Sequence, residues 1–109
     1  MNIPEERYEL FGKILVTILA RLGHAGEIVG HQNDGDKIIF QFRPVEKLGD
    51  IYPSIEQDGY DVIRDTVNSQ TLDIRKHNGN LEMRFPATVV FMTNAILRFN
   101  PKLYLSIYG

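Results

Sequence analysis

The stretch 72–85, LDIRKHNGNLEMRF, restricts the fold more than any other part of the chain. Asn78-Gly79 lies between two alternating runs. A two-residue type I′ turn needs positive φ at both central positions, which Asn and Gly tolerate best. Such a turn sets the register: His77 faces Asn80, Lys76 faces Leu81, Arg75 faces Glu82, Ile74 faces Met83, Asp73 faces Arg84 and Leu72 faces Phe85. One face then carries Leu72, Ile74, Met83 and Phe85. The other carries the pairs Arg75–Glu82 and Asp73–Arg84, each worth a few tenths of a kcal/mol up to about 1. A slip of one residue would put all four apolar side chains in water. Lys76 opposite Leu81 is the one mismatch. The basic run Arg75-Lys76-His77 reads as a solvated face, because Asp73 and Glu82 neutralise it.

With 109 residues, 43% of them hydrophobic, the chain can bury a core without covalent staples. Its net charge of −2 supplies no basic field, so nucleic acid is not an expected partner. The sequence has no cysteine, which excludes disulfides, thiol nucleophiles and thiolate metal sites. The start, MNIPEERYELFGKILVTILARLG, is unlike a secretory signal, because Glu5 and Glu6 come first and Lys13 and Arg21 interrupt the apolar run. It is also too charged to span a bilayer. A soluble protein without membrane contact, cytoplasmic or virion-associated, is expected.

Residues 4–22 are predicted to form a long helix. Asn2 can cap it, Glu5 takes the capping-box position, Pro4 fits the first turn and Gly23 is a stop. Tyr8, Phe11, Leu15, Ile18 and Leu22 make a stripe, and Ile14, Leu19 and Val16 widen it. The apolar arc exceeds what a surface helix needs. Such a helix lies in a concave sheet or is covered on a second side by another element or chain. Gly12 inside it costs up to about 1 kcal/mol against Ala, which suggests close approach of a neighbour.

Next, GEIVGHQNDGDKIIFQFRP predicts a second hairpin with a three-residue loop Asn33-Asp34-Gly35, pairing Ile28 with Phe40, Gly30 with Ile38 and Gly26 with Phe42. Residues 45–60 form the longest irregular connection, a candidate binding loop. Residues 61–67 lean to strand. The alternative is a helix from Ser54, against which Gly59 argues. ATVVFM reads as a strand buried on both faces. Residues 95–99 fit either strand or helix, since Val89, Met92, Ile96 and Phe99 also have helical spacing. KLYLSIYG closes the chain as a strand with Leu103, Leu105 and Ile107 inward.

Few residues suggest chemistry. His24 and His31 flank the first strand and Asp34 and Asp36 follow, but in a strand the two histidines stand too far apart to share an ion. Asp58 and Asp61 near Tyr60 are the candidate acid–base pair. None of Ser54, Ser69 and Ser106 sits in a nucleophile elbow. No catalytic, cofactor or metal site is assigned.

The expected architecture is a single α+β domain over 1–109: one long N-terminal helix packed on a curved antiparallel β-sheet of five to seven strands. The expected function is a non-catalytic interaction module, a subunit or adaptor of a larger assembly, viral ones included. It would self-associate or bind a protein partner through the edge of the last strand, with Leu103, Tyr104, Leu105, Ser106 and Tyr108 at the interface. The alternative is a ligand-binding or hydrolytic pocket between helix and sheet.

Overall fold

The computed structural model describes residues 2–109. Helix α1 (Glu5–Arg21) leads into β1 (Gly26–Asp34) and β2 (Lys37–Pro44). Helix α2 (Leu48–Ser54), a π turn (Ile55–Gly59) and α3 (Tyr60–Thr66) follow as one nearly continuous helical rod. The second hairpin, β3 (Asp73–His77) and β4 (Asn80–Pro86), precedes three short helices, α4 (Ala87–Phe91), α5 (Thr93–Arg98) and α6 (Pro101–Tyr108). The protein is α+β, with a long N-terminal helix and one antiparallel sheet of four strands, not five to seven, in the order β1-β2-β4-β3.

The Asn78-Gly79 hairpin forms as the sequence requires. Both residues have positive φ, 50° and 79°, and five of the six predicted pairs, from Asp73↔Arg84 to His77↔Asn80, are made, Leu72 lying just before β3 begins. β4 is fully alternating, with Leu81, Met83 and Phe85 inward. The mismatched Lys76 is taken up by α2, where its ammonium lies 4.6 Å from the centre of the Tyr52 ring. On the outer face the expected Asp73–Arg84 pair is made, at 3.9 Å, whereas Arg75 does not meet Glu82. Arg75 pairs at 2.8 Å with Asp73 on its own strand. Arg84 reaches across the sheet to Asp34 at 2.6 Å.

The first hairpin is tighter than predicted. Its loop is the two residues Gly35-Asp36, and only Gly35 has positive φ, the pattern of a type II′ turn. Ile28 therefore pairs with Phe42, and His31 with Phe40. A bulge at Val29 absorbs the offset and places Gly30 opposite Gln41. Gly26 pairs with Pro44, yet the Phe42 ring lies across it, so a Cβ there would fall inside that ring.

Phe11 on α1 packs against Phe40 and Phe85, with ring centres 5.1 and 4.8 Å away. Helix α1 begins at Glu5 with Pro4 at the cap position, and Asn2 makes no capping bond. Its C-terminus closes as a Schellman motif: Gly23 N–H donates to Ala20 O, and His24 N–H to Leu19 O. The wide apolar arc is answered within the chain, because α1 contacts β1 on one side and α3, α4, α5 and α6 elsewhere. Arg21 fastens the α6 side by donating to the Lys102 carbonyl at 2.9 Å and to Ser106 Oγ. Arg7 fastens α4 by donating to the Phe91 carbonyl.

The segments read as loop or strand in the middle and last third are helical. Residues 48–66 are helical although Pro53 lies inside α2 and Gly59 ends the π turn; Tyr60 N–H donates to Ile55 O, five residues back. In ATVVFM, Pro86 ends the sheet and Ala87 N–H bonds to Asp36 O at 2.8 Å. The chain then turns helical, and Val90 is buried. The last segment starts with Pro101 at the first helical position, where its fixed φ favours a helix. Leu103 and Ile107, four residues apart, face inward on a helix as well as on a strand. Leu105 tells the two apart, and it is 63% exposed.

Candidate functional site

The residues considered for chemistry do not converge. His24 Nε2 is 3.4 Å from Ser54 Oγ. His31 stacks on Tyr8 with ring centres 4.1 Å apart, and the Tyr8 hydroxyl donates to Asn33. Asp34 holds Arg84, and Asp36 sits in the turn. Asp58 is exposed on the rod rather than in a loop. Asp61 pairs with Arg64 at 3.3 Å, and that guanidinium also meets Asp65 and lies over Tyr60. Paired so, Arg64 is held charged above its ordinary range by the hydrogen bond and charge of Asp65. Among the described residues, no three His, Asp or Glu side chains stand together as metal ligands.

The space between α1 and the sheet is filled by Phe11, Phe40, Phe42, Leu81 and Phe85, all fully buried. Open space lies elsewhere. One opening, about 590 Å³, runs between the end of α3 and helices α4–α5, lined by Val67, Val89, Met92, Ile96 and Phe99 together with Asp65 and Asn68. Four of these, Val89, Met92, Ile96 and Phe99, are the helical-period set visible in the sequence. A second opening, about 470 Å³, is a groove between α1 and the free edge of β1.

The five residues expected at an interface lie on α6, not on an edge strand. Leu103 is buried, 2% exposed, so it belongs to the core. Ser106 is engaged by Arg21. Tyr104 and Tyr108, one helical turn apart, are about half exposed with ring centres 4.9 Å apart, and Leu105 is beside them. Of the nine large hydrophobic residues exposed among the described residues, six lie between Phe91 and Tyr108. Sequence reasoning missed Phe99, the most exposed of these six at 79%; its position just before Asn100-Pro101, at the joint between two helices, is the signal that would have singled it out.

Among the described residues, no helix is long and apolar enough to cross a membrane. The chain matches no protein family, no curated protein sequence and no solved structure among those compared.

Proposed function

We propose that this protein is a non-catalytic interaction module, a subunit or adaptor of a larger assembly, viral ones included, which docks through α6. One observation carries this reading. Helix α6 is apolar nearly all round, as a buried helix is, yet only Leu103 and Ile107 are packed against the body. The outward arc of Tyr104, Leu105 and Tyr108 carries no charge, so a second copy can meet it across a two-fold axis without setting like charges together. Amphipathic aromatics suit such contacts. An interface buries about 800 Å² per partner. Tyr104, Leu105 and Tyr108, each about half exposed at roughly 150–250 Å² for a whole aromatic, supply between a third and a half of that area, the rest coming from neighbouring elements.

The test is the mass by light scattering at several concentrations, for the intact protein and for a Tyr104→Lys, Tyr108→Glu variant. The intact chain is expected to rise above its 12.5 kDa monomer mass while the variant does not. Monomers in both cases rule out self-association. Undiminished binding of the variant to its native complex then rules out docking through this helix as well.

A further inference from the structure

The edge strand β1 has no neighbour on its outer side, and none of its nine residues is buried. The Ala25 carbonyl accepts from Val45 N–H at 3.0 Å. In an antiparallel ladder bonded pairs alternate, so the N–H and C=O groups of Gly26 and Ile28 point outward, away from β2. Pro44, opposite Gly26, has no N–H to give and fits that phase. Alongside this edge runs the groove against α1, with Gly12, Val16, Ile28 and Val29 among its apolar lining.

Two features of the groove are not explained by packing. A Cβ at Gly12 would stand 3.5 Å from Ile28 Cγ1, an ordinary contact, and one at Gly30 would meet only Gln41 Oε1 at 3.8 Å. The fold has room for side chains at both places and would gain helix or strand propensity from them. Leaving them out keeps the groove deep. The second feature is charge. Glu5 and Glu9 line the groove and take part in no ion pair among the described residues, and they stand against the single Lys13.

We infer that this groove receives an extended, lysine- or arginine-bearing segment of another protein, which adds to the sheet along β1. Main-chain bonds to the free edge supply the affinity; alternate side chains reach the groove, apolar ones to its lining and basic ones to Glu5 and Glu9. A second copy is a poorer occupant. Its own β1 carries no Lys or Arg to meet Glu5 and Glu9, and its two acids, Glu27 and Asp34, are already paired with Arg43 and Arg84. Its β3 is basic, but Ile74 is packed against its own core and Lys76 lies over its own Tyr52.

The test uses the full chain and a labelled seven-residue peptide alternating Lys and Val, with binding read by fluorescence anisotropy and amide exchange. The intact protein is expected to bind it and to slow exchange in Gly26–Asp34. Replacing the exposed Glu5 and Glu9 by Gln, which removes their charge without setting a cation at the start of α1, is expected to weaken binding about tenfold. A peptide N-methylated along one edge, which leaves the protein untouched, is expected to lose binding. Absence of binding, equal binding of a Glu-Val peptide, or indifference to N-methylation would overturn the proposal. So would slowed exchange at β1 in the protein alone as concentration rises, which would make a second copy the occupant. The Tyr104→Lys, Tyr108→Glu variant is expected to bind the peptide normally, so failure of the α6 reading and failure of this one are told apart.

Discussion

Gly79 at φ 79° and Gly12 in mid-helix are both glycines in regular surroundings, but replacing them has opposite effects. A β-branched side chain at positive φ is strained, so Gly79→Val is expected to lower stability by more than about 1 kcal/mol. An unchanged urea midpoint would remove the type I′ assignment. Gly12→Ala adds a methyl at ordinary distance from Ile28. It is expected to raise stability by about 0.5–1 kcal/mol through helix propensity, seen as a higher melting temperature. A loss would mean that the α1–β1 contact is tighter than its 3.5 Å implies. Gly26 is the third kind: the Phe42 ring occupies the place of its side chain, and no larger residue fits without moving the ring.

At the scale of elements, helix α1 allows a phase test. Ile18 is buried and Thr17, half-buried, donates its hydroxyl to the Lys13 carbonyl at 2.8 Å. Ile18→Ala is expected to cost about 2–5 kcal/mol, and Thr17→Ala no more than about half a kcal/mol; equal costs in denaturant titrations would shift the helix. A second expectation concerns α2. Burial, then the charges of Glu56 and Asp73, raise the Tyr52 hydroxyl above its ordinary range. Its neutral form is favoured in the fold, so its contribution is whole below the unfolded pKa of about 10 and falls away as pH rises further. Tyr52→Phe should flatten the loss of stability above that pH. These elements differ in how far the sequence announced them. The β3–β4 hairpin was legible to the residue because turn chemistry and alternation agreed, and α1 because 17 residues sample its period many times. The α4–α6 segment was not, since helices of five to eight residues leave too few repeats to separate a period of 2 from one of 3.6. In 48–66, Pro53 and Gly59 spoke against a helix that forms with Pro53 inside α2 and a π turn ending at Gly59.

For the whole molecule, the sequence placed the five residues of the last segment on a strand because the apolar character of that segment was visible but its helical geometry was not. Tyr104 and Tyr108 stay outward on either reading, whereas Leu105 exchanges core for solvent. The β1 groove could not be read at all, since it depends on which strand lies at the edge, a property of the strand order β1-β2-β4-β3. That order has a further consequence. Each hairpin is local in sequence, and a single seam, β2 against β4, joins them. Ile38, Phe40 and Phe42 come from one side of the seam; Phe85, Met83 and Leu81 face them from the other. The link between the halves passes through Val45, Glu46 and Lys47, all exposed. A chain severed at that link keeps both hairpins covalently whole, yet neither piece can bury its half of the seam alone. Fragments 1–46 and 47–109 are therefore expected to be unstructured apart and to reassemble on mixing, with circular dichroism recovering only near equimolar ratio. The protein is in this sense a split pair joined by a tether, whose folding is a binding reaction made intramolecular.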